Sequence, residues 1–444
     1  MWAFRSKNCY KNNSCQRFTL LRCKPKISES IKIAIVGAGI VGVTTAYELA
    51  ADGHAVTVFD RHNAAATQDS FATGGLLAPA AAIPWALPGL LAPARWLGRK
   101  APLRLGRQLS LSDLSWLRQW RRAAARAAHS PQPAGLALLQ LARYSQARLL
   151  ELTQQLDLPF EHSSSTLLLL RSAQDAEAAA PLLKALRETG HTALEVDADT
   201  ARRIEPGLSP TLALAGALHL PDGLAGNCRQ FALLLRQAAQ RQGADFQWSA
   251  AVERVCTAPT GLQIQGEASP RPFDAVVLCA GAQAAALLHP LGLRLPLAAL
   301  HGSTLSAPMR EALHAPQSAV VDIASGSTIA RLGQRVRIAG GAELGRAHEA
   351  HPQTVHALYR VLGECFPGGV THASGVQVWR GARAMLPDGA PAIGPSGTPG
   401  VWLNLGHGAS GWALACGSAR LLADQLAQRT PALPSESWAP QRWQ

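Results

Sequence analysis

The stretch IKIAIVGAGIVG, residues 31–42, decides the fold of this chain. It begins with a short run of mostly β-branched apolar residues, which is typical of a buried strand. It continues with three glycines in the spacing G-x-G-x-x-G: Gly37, Gly39 and Gly42. On its own this spacing is weak evidence, because glycine turns also occur in ordinary strand–helix–strand units.

The residues that follow strengthen the motif. VTTAYELAADG (43–53) predicts a helix that ends at Gly53, and HAVTVFD (54–60) predicts a second strand that ends at Asp60. In a dinucleotide-binding unit the glycines allow a tight turn and a close approach of the pyrophosphate. The helix N-terminus stabilises the phosphate charge, and the acid accepts hydrogen bonds from ribose hydroxyls. The pattern predicts a dinucleotide-binding unit, but it does not show whether the cofactor is NAD or FAD.

Two later segments have the same strand–glycine form. FDAVVLCAGA (273–282) predicts a strand that stops at Ala280-Gly281. VWLNL (401–405) predicts another strand, which GHGASG (406–411) and a helix over 412–427 follow. A helix N-terminus at such a turn stabilises negative charge, and an anionic reduced flavin would suit it. Plain glycine turns remain the alternative, and His407 fits a structural histidine as well as a ligand contact.

The chain is long and globular, with a positive charge confined to two segments. Its 444 residues favour two domains, and its 48% hydrophobic content describes a folded protein. The formal charge is +13, but residues 1–30 hold seven Lys and Arg against Glu29, and residues 86–130 hold nine against Asp113. The remaining surface is near neutral, and this argues against a nucleic-acid-binding protein.

Cysteine and histidine spacing does not favour a metal site. The eight cysteines form no C-x-x-C pair, so we expect buried thiols in a reducing compartment. His348, His351 and His356 have the spacing H-x-x-H-x-x-x-x-H, which a polar loop before a helix at Pro352 explains better than metal binding. We therefore predict no metal.

Two segments bear on localisation. Residues 1–30 form a basic extension, expected to be disordered, that is either a targeting segment or dispensable. The uncharged run 70–94 contains four prolines and is not a convincing membrane helix. In 94–128, a helix with Trp116 and Trp120 on one face and arginines roughly opposite predicts either contact with an anionic membrane or packing on its own domain. We expect a cytoplasmic protein, with peripheral contact to the inner face of the plasma membrane as an option.

The middle of the chain alternates predicted helices and strands. Residues 141–158 and 231–244 have helical spacing, 165–172 has that of a strand, and RVRIAGGAELG (335–345) predicts a strand with a tight turn. The predicted class is α/β, with a Rossmann-like dinucleotide domain interleaved with a mixed-sheet α+β domain.

At this point the sequence resembles the FAD-dependent amino-acid oxidoreductases of the D-amino-acid oxidase type, and most of all the small-subunit type of D-amino-acid dehydrogenases. The resemblance covers about residues 31–430 and rests on four stretches. They are IAIVGAGIVGVTTAYEL, GGLLAPAAAIPWALPG with the following RWLG, GARAMLPDGAPAIGP, and NLGHGASGWALACGSARLLADQL.

The resemblance implies a D-amino-acid oxidase/glutathione-reductase-type fold and a division into two parts. Residues 31–85, 221–289 and 375–430 would form the FAD-binding domain. Residues 86–220 and 290–374 would form the substrate domain. The expected FAD-contacting residues are Ile33, Gly37, Ala38, Gly39, Ile40, Val41, Gly42, Asp60, Arg61, Gly74, Gly75, Val252, Ala280, Gly281, Gly406, Gly408, Ala409, Ser410 and Gly411.

The resemblance also implies the catalytic groups. Related enzymes hold the substrate carboxylate with an arginine in a W-x-G-x-R context, which Trp379 to Arg383 matches, so Arg383 is the expected carboxylate ligand. An ion pair between Arg383 and Asp388 is the alternative, and Arg380 is expected to be structural. His407 is a second candidate for ligand contact.

The implied activity is oxidative deamination of a small D-amino acid such as D-alanine, with electrons passed to a quinone or another acceptor. Two stretches depart from the family pattern and leave the amino acid open: His301-Gly302-Ser303-Thr304, and IASGSTIARLG at 323–333. Alternatives are a sarcosine, glycine or D-hydroxyproline oxidase or dehydrogenase, an RNA-modifying flavoenzyme, and a non-catalytic flavoprotein subunit.

Overall fold

The structure is a computed structural model that describes residues 30–78, 103–106, 108–129, 134–345, 350–371 and 374–443. Several predicted features fall outside these residues: the extension 1–29, the segment 79–102 with its prolines, and His348. In the described part of the chain, no helix is both long enough and apolar enough to cross a membrane.

The described chain contains nine α-helices. They are α1 (Ile40–Ala51), α2 (Leu111–His129), α3 (Ala134–Leu156), α4 (Ala173–Glu188), α5 (Ala198–Ile204), α6 (Cys228–Arg241), α7 (Ala284–Leu288), α8 (Pro352–Cys365) and α9 (Gly411–Leu426). The predicted starts and ends of α1 and α9 agree with these bounds to within three residues.

Eighteen strands accompany these helices in the described residues. The first nine are β1 (Lys32–Val36), β2 (Ala55–Phe59), β3 (Leu103–Leu105), β4 (His162–Leu170), β5 (Leu194–Val196), β6 (Gly216–Gly226), β7 (Asp245–Gln247), β8 (Val252–Thr257) and β9 (Thr260–Ile264). The others are β10 (Arg271–Pro272), β11 (Ala275–Leu278), β12 (Ala298–Pro308), β13 (Ala319–Asp322), β14 (Ser327–Leu332), β15 (Arg335–Leu344), β16 (Gln377–Met385), β17 (Ala392–Pro395) and β18 (Val401–Leu405).

The first sheet is a six-stranded, mainly parallel sheet in the order β17-β18-β11-β1-β2-β7. Strand β1 pairs in parallel with β2 and β11, and β17 alone runs antiparallel to its neighbour. Helices α1, α3, α6 and α9 share a buried core with one face of this sheet, and the small sheet β10-β9-β8 shares a core with the other. A parallel sheet covered on both faces explains why β1 is almost uniformly apolar.

The second sheet has nine strands and mixed directions. Its main path is β16-β12-β15-β14-β13-β4-β6-β5, and β3 pairs with β15. Its strands lie between those of the first sheet along the chain, so the expected interleaved α/β architecture is confirmed. Strand β16 falls in the segment 375–430, which we had placed in the FAD-binding part, yet it joins the nine-stranded sheet. The exact domain division stays a prediction.

The stretch 335–345 differs from its prediction. It forms one ten-residue strand rather than a strand with a tight turn. The register between β12 and β15 shifts at Gly302, which lies opposite both Gly341 and Ala342. Gly341 has a φ of +74°. The glycine pair therefore makes a β-bulge, in which a left-handed glycine lets one strand carry an extra residue.

Helix α2 packs on its own domain through its two tryptophans. Trp116 and Trp120 are buried against β12, β15 and Met385, and the Trp116 indole N–H donates to the Met385 carbonyl at 2.9 Å. These tryptophans cannot contact a membrane because they belong to the core of their own domain. Leucines and arginines of α2 remain on the outer side: Leu111, Leu114, Arg118, Arg121 and Arg122.

Candidate active site

A cavity of about 780 Å³ lies where the two large sheets face each other. One wall is formed by residues at or just past the carboxyl ends of β1, β2, β11 and β18, which is where open α/β sheets bind ligands. The floor is one face of the nine-stranded sheet. Most of the predicted site residues meet in this cavity, although they come from four distant parts of the sequence.

The first glycine turn has no room for side chains. A Cβ on Gly42 would lie 1.8 Å from the Gly37 carbonyl oxygen, and a Cβ on Gly37 would lie 2.7 Å from the Cys279 carbonyl oxygen. Gly37 also has φ +104°, a left-handed conformation that favours glycine. Helix α1 starts at Ile40, whose N–H donates to the Ser70 hydroxyl at 3.0 Å. The turn therefore brings bare backbone and a helix N-terminus to the cavity wall.

Asp60 stands at the end of β2 beside this turn. Its carboxylate accepts from the Ala38 N–H at 2.7 Å and from the His62 N–H at 2.8 Å. Asp60, Arg61 and Val252 all line the same end of the cavity. The two backbone donors fix the carboxylate in the position expected for a ribose ligand.

The turn after β18 places a second helix N-terminus at the cavity. Gly406, Gly408, Ala409 and Gly411 line it, and α9 begins at Gly411. Two helix N-termini, those of α1 and α9, thus reach one cavity and favour a negatively charged ligand there.

His407 lines the cavity as a neutral side chain. Its Nε2 lies 3.0 Å from the Ser418 hydroxyl, and that hydroxyl donates to the Ala415 carbonyl at 3.1 Å. A Ser418 hydroxyl that donates to Ala415 accepts from His407, and this arrangement corresponds to the tautomer with the proton on Nε2. Burial lowers the pKa of His407 to about 3, so this ring is not a proton donor of the imidazolium type at neutral pH.

The cavity floor follows from strand register. Trp379, Thr304, Ala339, Thr328 and Val321 stand opposite one another across five neighbouring strands, β16 to β13, and all five line the cavity. Side chains alternate between the two faces of a strand, so residues two positions along form the next row on the same face. That next row contains three glycines that leave a shallow trough: Gly381, Gly302 and Gly341.

Arg383 lies in this trough. A Cβ on Gly302 would lie 2.5 Å from the Arg383 Nη2 atom, and Arg383 Nη1 donates to the Gly341 carbonyl at 2.8 Å. Burial lowers the pKa of Arg383. An arginine nevertheless keeps its proton in proteins. Among the described residues, no carboxylate lies within 4.0 Å of this guanidinium. A cation without a counter-charge on a cavity floor is suited to binding an acid.

The carboxylates near Arg383 and Arg380 bear on the alternatives stated for these two arginines. Asp388 pairs with Arg442 at 2.8 Å, so it does not neutralise Arg383. Arg380 projects from the other face of β16 and lies 3.7 Å from the Glu343 carboxylate. The expectation that Arg380 is structural agrees with this position.

Asp69 is a cavity residue that the sequence motifs missed. Its Oδ1 accepts from the Ala382 N–H at 2.7 Å, next to Arg383, and its Oδ2 faces Gly281. Burial raises the pKa of Asp69, which the Ala382 hydrogen bond and Arg61 offset only in part. One signal was available: Asp69 is the single Asp, Glu, Lys or Arg residue between Arg61 and Arg95.

Four predicted cofactor residues do not line the cavity. Ile33 is fully buried in the core of β1, which corrects its assignment as a cofactor contact. Ala38 is also fully buried and acts through its N–H to Asp60. Gly42 supports the turn by contact with Gly37, and Ser410 precedes α9 without lining the cavity. Fewer residues of β1 and of the glycine turns line the cavity than the sequence motifs predicted.

This arrangement fits FAD. The bare turn at Gly37 and Gly39 and the N-terminus of α1 would hold the pyrophosphate, and Asp60 the ribose. The turn 406–411 would face the flavin ring, with its helix N-terminus toward the ring's negative charge. The fold and the site together define a flavin-dependent oxidoreductase, and the floor of its cavity carries the Arg383 guanidinium, which no described carboxylate pairs.

Comparisons with known proteins agree with this class. The model of the FAD dependent oxidoreductase family, DAO, matches residues 32–425. A D-amino acid dehydrogenase of Cereibacter sphaeroides is 38% identical over 421 residues, covering 93% of this chain and 95% of that protein. One of Rhizorhabdus wittichii is 33% identical, covering 93% and 100%. This chain therefore belongs to the FAD dependent oxidoreductase family, and FAD is its cofactor.

Solved structures share the fold at low identity. Glycine oxidase from Geobacillus kaustophilus superposes with a TM-score of 0.70 at 20% identity, covering 92% of this chain and 98% of that one. L-proline dehydrogenase from P. horikoshii gives 0.71 at 16% identity, covering 93% and 98%. These likenesses confirm the predicted fold class.

We expect Gly42→Ala to abolish FAD binding, because its Cβ would overlap the Gly37 carbonyl and open the turn. The flavin absorbance of the purified protein measures this directly. Gly363→Ala is the matched control, since no atom lies within 4 Å of a Cβ there. Normal flavin content in the Gly42→Ala protein would contradict the assigned pyrophosphate site.

We expect Asp69→Asn to stabilise the FAD-free protein at neutral pH but not near pH 4. The pKa of Asp69 is raised in the folded state, so its contribution to stability is lost as pH rises from the ordinary value of 3.8 through the raised one. An asparagine keeps an acceptor for Ala382 without the buried charge. The thermal midpoint at pH 8 should rise by about 2 °C. The exposed Asp222→Asn should not change it, and equal shifts at both pH values would refute the account.

Proposed function

We propose that this protein oxidatively deaminates D-amino acids to 2-oxo acids and ammonia and passes the electrons to a quinone or another respiratory acceptor. The observation that carries the proposal is the Arg383 guanidinium, which no described carboxylate neutralises, on the floor of the FAD cavity. The names of the curated relatives support D-amino acids as substrates.

Arg383 would bind the substrate carboxylate through parallel N–H donors. Its own position is restrained by the Gly341 carbonyl and by the close floor at Gly302, so the carboxylate is held in a defined place. A fixed carboxylate and a fixed side chain together orient the third substituent of Cα, its hydrogen. Bound FAD supplies the hydride acceptor.

The remaining chemistry needs few protein groups. The amino acid must react as the neutral amine, because its nitrogen lone pair forms the C=N bond as the Cα hydride leaves. Water then attacks the imino acid and releases ammonia and the 2-oxo acid. His407 remains neutral and bonded to Ser418, so we assign it a positioning role at the cofactor rather than proton transfer.

We also propose that α2 carries the contact with a membrane surface. Its outer side presents Leu111, which is 86% exposed, beside Arg118, Arg121 and Arg122. Apolar side chains with neighbouring arginines suit an anionic bilayer, where each cation contributes about 1 kcal/mol. Such contact would bring the enzyme to the inner face of the plasma membrane, where quinones reside.

We expect Arg383→Leu to lower kcat/KM for D-alanine about 100-fold, because the substrate carboxylate then lacks its charged partner. Anaerobic stopped-flow reduction of the flavin measures the effect. Arg383→Lys should recover part of the activity, since it restores the charge but not the two parallel donors. Arg310→Leu, at an exposed position, is the control. Unchanged kinetics in Arg383→Leu would reject the carboxylate ligand, and a flavin that no D-amino acid reduces would reject the function.

We expect the holoenzyme to sediment with anionic vesicles but not with neutral ones, and to dissociate as salt rises. Replacing Arg118, Arg121 and Arg122 by Gln should abolish sedimentation. A control with Arg241, Arg254 and Arg310 replaced by Gln removes equal charge from other exposed positions. Equal loss of binding in both triple variants would point to net charge rather than to α2.

A further inference from the structure

The turn between β13 and β14 forms one wall of the cavity, although no motif marked it. It consists of four residues, 323–326, and each of them lines the cavity. Ile323 packs against the apolar cluster that contains Val321, so both side chains lie on the floor side of β13. The turn belongs to the stretch 323–333, where the sequence departs from the family pattern.

Register places this turn in line with Arg383. Val321 stands opposite Thr328, which stands opposite Ala339 on β15. Gly341 lies two residues beyond Ala339 on β15, and the β13–β14 ladder ends at Asp322 and Ser327, so the turn 323–326 begins where this row ends. Neighbouring strands are about 4.8 Å apart, so β13, which leads into the turn, lies about 10 Å from β15, whose Gly341 carbonyl holds Arg383. This span matches an amino acid that extends from a bound carboxylate to the tip of a side chain.

The turn 323–326 presents no charged side chain to the cavity. Ile323 and Ala324 are apolar, and the Ser325 hydroxyl donates to the Asp322 carboxylate. Asp322 is itself fully buried and pairs with Arg171 at 2.8 Å. Among the described charged residues that line the cavity, Arg383 lies on the floor and Asp69 lies beside it against the Ala382 N–H, and neither belongs to this turn. Asp60, Arg61 and Glu253 lie toward the dinucleotide end.

The turn is also held in place from behind. Arg171 joins Asp322 to Glu364 on α8, the latter at 2.7 Å. Ser325 then ties the middle of the turn to the same Asp322. A wall anchored in this way limits side-chain size instead of yielding to each substrate.

From this geometry we infer that the turn 323–326 forms the side-chain subsite of the substrate, that it accepts uncharged side chains, and that Ile323 sets their maximum length. The inference rests on the proposed function, because it takes the Arg383-bound carboxylate as the other end of the substrate. It assigns specificity to a turn at β13, which is four strands away from β16, the strand that carries Arg383.

The test compares D-alanine with D-phenylalanine in the FAD-loaded enzyme. We expect Ile323→Ala to raise the ratio of kcat/KM for D-phenylalanine to that for D-alanine about tenfold, and Ile323→Trp to lower it about tenfold. Ala324→Leu, within the same turn, should lower the ratio and serves if an Ile323 variant fails to fold. Val320→Ala is the control, because Val320 lies on the opposite face of β13 in the core and should leave the ratio unchanged.

A binding measurement separates this inference from the proposed function. Perturbation of the flavin spectrum reports the Kd of unreactive carboxylates, and Ile323→Ala should tighten phenylacetate relative to acetate. Reduction of the flavin by D-alanine with unchanged ratios in all three turn variants would overturn the subsite alone. Failure of every D-amino acid to reduce the flavin, with the phenylacetate shift still present, would overturn the proposed function and leave the subsite standing.

Discussion

The substrate end of this protein depends on one buried cation whose charge no described carboxylate balances. Arg383 lies flat across Gly302 and donates to the Gly341 carbonyl. That carbonyl belongs to a bulge, where the ladder between β12 and β15 is interrupted. An unpaired guanidinium costs free energy in a folded protein, and the cost is relieved when an acid binds. Three strands thus hold this guanidinium in place, as the proposed carboxylate ligand requires.

The dinucleotide end of the cavity differs from the Arg383 end. It offers backbone N–H groups, rather than a charged side chain, to a negatively charged ligand. Two helix N-termini and a turn without side chains meet at the carboxyl ends of parallel strands. The acidic residues there, Asp60 and Asp69, have backbone N–H partners. Asp69 is buried and its pKa is raised, so its negative charge opposes an anionic cofactor at this end.

The two departures from the family pattern occupy different places. His301 lies on the face of β12 away from the cavity, opposite Glu343 and near Arg380, while its neighbour Gly302 forms the floor. The turn 323–326 forms the cavity wall itself. The first departure therefore lies behind the floor beside Arg380, and the second forms the wall that we propose for the substrate side chain.

The sequence by itself determined the parts of this protein whose cause is local. The glycine spacing at 37–42, the apolar run of β1 and the acid at Asp60 predict a dinucleotide unit, because backbone room, helix start and strand period are set by neighbouring residues. Only the tertiary structure decided the rest. It buried Trp116 and Trp120 against the protein's own core, turned 335–345 into a bulged strand, and brought Asp69 and the turn 323–326 to the cavity. These features depend on register between strands distant in the chain, and a one-residue shift in register moves every side chain to the other face.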